Sequence, residues 1–291
     1  MSDKGLSAGA KGRRRVFNRI FTGLVYVALV LAMVPLGLIL IDVLQKGLPV
    51  MSWSFFTDLP TPPSIPGGGI ANALVGTLIM VGIATLISVP LGVGAGIFFS
   101  EWPESRFSFF ASFLNDVLAE FPSIVIGIFV YVVVVLTTGG FSGLAGAVAL
   151  AIIMLPIVAR TTEESLKMVP TSLREGSQAL GVTRARTVMG VVISTGRAGL
   201  ITGVLLAIAR AAGETAPLLL TALGSSYMPQ SLMQPTAALP LLIYTYAVSP
   251  FKAWQADAWG AALVLVVAML ALNLLTRFTV GRKFAGVRAE I

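Results

Sequence analysis

Arg210 and Glu214 stand four residues apart in an apolar run, Ala198 to Leu223, that carries no other charge. On a helix that spacing puts both side chains on one face, close enough to pair. Arg210 lies 13 residues beyond Arg197, which at 1.5 Å per residue is roughly 20 Å into the apolar region. An ionised group at that depth costs about 2.5–3.5 kcal/mol on insertion scales, and such groups face a bundle interior or a water-filled path. Two readings fit. The pair is a buried salt bridge locking its helix to its neighbours, or it lines an anion path. In the second reading the planar guanidinium donors suit an oxyanion, and the carboxylate orients the guanidinium, limits how tightly an anion is trapped, or gates. Arg preceding Glu is the less favourable order for a lone helix, which weakens a purely local role.

Little other chemistry is available. The chain has no cysteine and no histidine, which removes disulfides, thiolate and imidazole metal sites, Cys or His catalysis and a histidine pH switch. No G-x-x-x-x-G-K-[ST] loop occurs, so the chain has no such device for holding ATP. Gly92, Gly94 and Gly96 lie inside an apolar run with no βαβ context, and read as close helix packing. Asp116 and Glu120 sit four apart on a short amphipathic segment, equally readable as a solvated face or a gate. Pro122 at a first helical position would leave free N–H groups beside Ser123, an anion-attracting arrangement that makes Ser123 a further candidate contact.

The elements that must position these residues are membrane spans. Of 291 residues, 56% are hydrophobic and 11% charged, far from the composition of soluble domains. A helix needs about 20 apolar residues to cross the hydrocarbon core. Ile20–Ile41 satisfies this and, being long and without a following small-residue cleavage site, reads as a retained span rather than a signal peptide. Residues 46–69 have loop composition, ending in Pro66-Gly67-Gly68-Gly69. Ala73–Phe99 makes a second span. The 39 uncharged residues Phe121–Ala159 hold a third and a fourth, divided at Thr137-Thr138-Gly139-Gly140. Ala198–Leu223 is the fifth and Ala258–Thr276 the sixth. Thr236–Val248 is too short to cross and reads as an interfacial or re-entrant helix. The divisions are a basic tail over 1–19, a first span and outer loop over 20–69, the main transmembrane domain over 70–280 with its long loop at about 160–197, and a tail over 281–291.

Six spans put both termini on one side, and Lys and Arg should crowd there. Of 20 basic residues, 17 fall on that presumed cytoplasmic side, Lys46 and Lys252 on the other, and Arg210 within the membrane. The net charge of +7 is thereby explained by loop anchoring and not by nucleic acid.

The charged loop Pro170-Thr171-Ser172-Leu173-Arg174-Glu175-Gly176-Ser177-Gln178-Ala179-Leu180-Gly181 predicts a short helix, a sharp turn and a second helix. Ser172 and Glu175 have capping-box spacing, Gly181 suits a left-handed cap, and Thr183 suits the next N-cap. This knuckle is either a docking element for a soluble partner or a solvated connector.

Glu175, Ala179 and Gly181 match the E-A-A-x-x-x-G loop, so the chain resembles the permease subunits of type I ATP-binding-cassette importers. Gly176 and Ser177 replace its two alanines, and Ser194 stands where proline is frequent. Arg210-Ala211-Ala212-Gly213-Glu214-Thr215-Ala216-Pro217 resembles more specifically the R-A-x-G-E-T-A-P segment of phosphate importer permeases. The strings Gly68-Gly69-Ile70-Ala71-Asn72-Ala73, Gly76-Thr77, Ser88-Val89-Pro90-Leu91-Gly92-Val93-Gly94, Asp116-Val117-Leu118-Ala119 and Pro122-Ser123-Ile124-Val125 support it, with Glu120 replacing a glycine. The resemblance spans about residues 68–280. It implies an all-α integral membrane bundle with a cytoplasmic coupling helix, not itself an enzyme. It further implies a phosphate path through Arg210, Glu214 and Thr215, and ATPase coupling through Glu175, Ala179, Leu180 and Gly181. The implied partners are a second, PstC-like permease, a PstB-like ATPase dimer that binds ATP and Mg, and a PstS-like periplasmic phosphate-binding lipoprotein. No cofactor is expected in this chain. A permease for another oxyanion (phosphonate, sulfate, molybdate) and a non-transporting membrane scaffold for an ATPase are the alternatives.

Overall fold

The computed structural model describes residues 8–65 and 67–287; the start of the basic tail, Pro66 and the last four residues lie outside them. The described residues form helices joined by turns and loops, with one isolated bridge, Leu223 to Thr236, in place of any strand. Helix α1 spans Ala8–Gly47, absorbing most of the expected basic tail into the helix that makes the first span. A short helix α2, Trp53–Thr57, is capped where the Phe55 N–H donates to the Ser52 hydroxyl at 3.2 Å. Helix α3 spans Ala71–Glu101.

A sharp bend precedes the expected third span. Helix α4, Arg106–Ala119, and helix α5, Ser123–Thr138, meet at 103° across Glu120-Phe121-Pro122. Pro122 causes the break, since it lacks an N–H and its ring excludes the preceding turn. It occupies the N-cap position and not the first helical position, which Ser123 takes. A π turn, Tyr131–Val135, runs within α5, and Gly139 at φ +79° makes the tight turn expected there. Helix α6, Gly143–Lys167, then starts at Ser142, whose hydroxyl accepts from the Ala145 N–H at 3.1 Å.

The knuckle forms as helix α7, Thr171–Ala179. The capping box does not form. Pro170, held extended at ψ 138°, is the N-cap, which leaves Ser172 inside the first turn with no capping bond. Gly181 adopts φ +79° and closes the helix, its N–H donating to the Gln178 carbonyl while that of Val182 donates to Ser177. Thr183 is the next N-cap, but its hydroxyl caps nothing.

Helix α8, Arg184–Ala212, begins earlier than the expected fifth span and ends well before Leu223. Pro217 explains the early end: a helix carried through it would lose a hydrogen bond and clash with the carbonyl four residues before. The chain turns at Gly213-Glu214-Thr215 and restarts as the short helix α9, Ala216–Thr221. Thr236–Val248 contains only helix α10, Leu239–Ala247, too short to cross, as expected. Helix α11 runs Lys252–Val287. Among the described residues five helices are long and apolar enough to cross a membrane, and the number rises to six if the bent α4–α5 pair is counted as one span.

Glycine contacts set the packing. Gly146 lies against Met80, Gly92 against Val158 and Gly96 against Thr162, the same sequence offset each time, so α3 and α6 run in the same direction. Gly199 lies against Ser165 and Gly203 against Thr161. There, four residues onward on α8 match four residues back on α6, and the two helices are antiparallel. Met80, Ala84, Leu150, Met154, Val158, Ala207 and Ala211 close the core between these three. Gly47 meets Trp259 and Leu263, joining the end of α1 to the start of α11, so these also oppose each other.

Candidate functional site

Continuing the α8–α6 register from Gly203 and Thr161 brings Arg210 about level with Met154. That residue is fully buried and close to the middle of α6. Arg210 is thus about 9 Å from the level of Arg160, the first charge on α6, at 1.5 Å per residue, which places it within the apolar zone and nearer its charged edge than the roughly 20 Å expected from the spacing to Arg197. Its expected burial is not borne out. The Arg210 side chain is 56% exposed and only Glu214 is enclosed, at 16%. The reason lies in the faces of α8: Ala207 and Ala211 turn into the core, and Arg210 turns away.

Arg210 Nε and Glu214 Oε1 stand 3.7 Å apart, beyond hydrogen-bond length. The guanidinium therefore keeps donors free. Arg210 also sits in the last turn of α8, where a cation is favoured by the exposed carbonyls. Glu214 lies in the break after the helix, its N–H donating to the Ala211 carbonyl at 3.2 Å.

Thr215 and Ser123 approach this level from two other elements. Thr215 is the N-cap of α9, its carbonyl accepting from Leu218 and Leu219. Helix α9 packs on α5, where a Cβ on Gly127 would stand 2.7 Å from Pro217 Cα. Ser142, at the start of α6, donates its N–H to the Thr221 carbonyl at 3.0 Å, so α9 runs toward the turn that also ends α5. The two helices therefore run the same way, and Ser123 and Thr215 sit on the same side of the Gly127–Pro217 contact. Both are half-buried, and Ser123 opens α5 with no side-chain cap across it.

Asp116 and Glu120 are exposed on α4 and at its end. Asp116 Oδ1 stands 4.0 Å from Arg160 Nη1. Arg160 also reaches Glu164 at 2.9 Å and the buried Glu163 at 3.4 Å, and Lys167 reaches Glu163 at 2.6 Å. This ionic belt marks the end of the apolar part of α6.

On α7, Glu175, Ala179 and Leu180 are exposed, Leu180 by 85%, and α7 buries no residue of its own. A network that sequence reasoning missed holds it. Arg174 donates from Nη2 to Glu101 Oε1 at 3.0 Å and to the Leu166 carbonyl at 2.8 Å, and from Nη1 to the Val169 carbonyl at 2.5 Å. Arg184 donates to the Glu101 carbonyl and lies 4.7 Å from the Trp102 ring centre. The only sequence signal was an acid ending a long uncharged run, and its partner is 73 residues away.

The family model for "binding-protein-dependent transport system inner membrane component" matches residues 88–282. The phosphate transport system permease protein PstA of Haemophilus influenzae is 43% identical over 265 residues, covering 91% of this chain and 94% of that one. The probable PstA of Methanocaldococcus jannaschii is 40% identical, with the same coverage of both chains. Among solved structures, an inward-facing MetNI methionine ABC transporter superposes with a TM-score of 0.62 at 18% identity, covering 73% of this chain and 95% of that one; this likeness shows a shared fold. With its helices, its family match and identity sustained along the chain, the protein belongs to the PstA family of phosphate transport system permease proteins, within the binding-protein-dependent transport inner membrane components.

Proposed function

We propose that this chain carries inorganic phosphate across the inner membrane as one permease half of an ATP-driven importer, with Arg210, Glu214, Thr215 and Ser123 lining the path. The exposure of Arg210 carries the reading: a guanidinium 56% exposed within an apolar span and 3.7 Å from its carboxylate cannot face lipid at tolerable cost. It must face water, substrate or a second subunit. Free donors and a nearby carboxylate that keeps binding from becoming a trap are what an oxyanion path needs.

The chain is an inner membrane permease subunit, as its family and its apolar helices require. The finer assignments belong to the same proposal. ATP and Mg bind in a separate ATPase dimer, which docks on the exposed Glu175, Ala179, Leu180 and Gly181. A PstC-like permease completes the path, and a PstS-like phosphate-binding protein delivers phosphate from the side opposite α7. Both termini are cytoplasmic, as the distribution of 20 basic residues supports.

The test is ATP-driven uptake in vesicles containing the complete complex and its binding protein. Labelled phosphate should accumulate, and excess sulfate, molybdate or phosphonate should not compete. If one of them replaces phosphate, the anion is wrong. If Arg210→Ala transports normally, the path is wrong.

A further inference from the structure

Helix α7 buries none of its residues, so apolar packing is not what makes it move with the membrane helices. Two polar attachments do that work. Ser177 and Thr187 hydroxyls meet at 2.9 Å, tying α7 to the first turn of α8. The other attachment is Arg174, whose side chain is only 18% exposed. Its guanidinium takes two carbonyls at the end of α6, Leu166 and Val169, together with the carboxylate of Glu101, the last residue of α3. Glu101 is 5% exposed and receives both Nε at 3.3 Å and Nη2 at 3.0 Å on one oxygen. Arg184, opening α8, takes the Glu101 backbone carbonyl.

The ends of α3, α6 and α8 thus meet α7 around Glu101 and Arg174, with the Arg174 guanidinium on the Glu101 carboxylate and on the α6 carbonyls, and Arg184 on the Glu101 backbone. Arg174 is the one ion-pair partner of Glu101 among the described residues, and a buried charge is strongly destabilised when its partner leaves because its burial is no longer compensated. Such a pair separates reluctantly. Displacement of α7 is then passed to α3 and α6 together and not absorbed in the loop.

We infer that Glu101 and Arg174 are a positioning pair that locks α7 to α3 and α6, so that movement imposed on α7 becomes movement of the path-lining bundle. This rests on the reading that α7 docks on an ATPase.

The test uses the whole reconstituted transporter, comparing Glu101→Gln, Arg174→Gln and the double variant by phosphate moved per ATP hydrolysed. The pair predicts that each single variant lowers this ratio about tenfold, equivalent to about 1.4 kcal/mol of coupling, and that the double variant lowers it no further. An unchanged ratio in assembled complexes, or losses that multiply, overturns it. Because the chain has no cysteine, spin labels on Glu104→Cys and Ser172→Cys, both exposed, report the α3–α7 separation without native thiols. With the pair intact, that separation should be the same in nucleotide-free and ATP-bound complexes, and Glu101→Gln should broaden it. A separation that changes with nucleotide while Glu101 is intact overturns the lock even where a variant fails to assemble. Absence of phosphate-stimulated ATP hydrolysis in the unaltered complex would instead overturn the docking reading, and the lock's role with it.

Discussion

Gly127 of α5 and Pro217 of α9 pack backbone against backbone, with only 2.7 Å between the position of a Cβ on the glycine and the proline Cα. This contact sets the helix that follows Arg210 and Glu214 against the helix that opens at Ser123. Gly127→Ala should push them apart. An added methyl in a filled contact typically costs 1–3 kcal/mol, so we expect lower thermal stability in detergent and a marked loss of uptake. Unchanged stability would mean that α9 shifts freely.

The two members of the charged pair should fail differently. Removing a charge-assisted hydrogen bond of about 1.5–3 kcal/mol predicts that Arg210→Ala lowers uptake roughly tenfold to a hundredfold. Arg210→Lys, which keeps the charge and loses the planar fork, should fall between.

Glu214→Gln removes the charge that opposes anion retention. Initial-rate uptake should show a lower apparent KM for phosphate together with a lower maximal rate, because release slows. Unchanged values of both would exclude Glu214 from the path and leave it as an ordinary neighbour of the arginine.

Helix α7 offers two glycines with opposite outcomes. Gly176 is inside the helix with nothing near a Cβ, so Gly176→Ala should stabilise it by about 1 kcal/mol. Gly181 sits at φ +79°, where a side chain costs roughly 1–2 kcal/mol. Hydrogen exchange across residues 171–181 should therefore slow in the first variant and quicken in the second.

Leu180 is 85% exposed, so little of its side chain packs on the fold. Leu180→Asp should leave the melting temperature of the isolated chain unchanged while abolishing copurification of the ATPase. Retained copurification would place the docking contact elsewhere on α7.

Much of this protein was legible from its amino acids, because the lipid solvent imposes simple rules. Runs of about 20 uncharged residues must be helices that cross. Basic residues crowd on one side, and a charge within a span demands a reason. Those rules placed the spans, the short α10, the α7 knuckle with its left-handed Gly181, and Arg210 within an apolar span. They did not locate the ends of the spans. Pro217 stops α8 at Ala212, and Pro122 starts α5 at Ser123 and suppresses continuity with α4; both effects depend on local sterics that a hydropathy run does not register.

What tertiary structure alone decided is which way side chains face and which distant groups meet. The outward turn of Arg210 follows from Ala207 and Ala211 packing inward, and the 3.7 Å gap to Glu214 follows from the helix ending between them. The approach of α9 to α5 needs a glycine opposite a proline, and the Glu101–Arg174 contact spans 73 residues. Spacing along one helix is a local quantity, fixed by 3.6 residues per turn. Contact between helices depends on where glycines let backbones close, and that is a property of pairs of surfaces that neither sequence segment carries by itself.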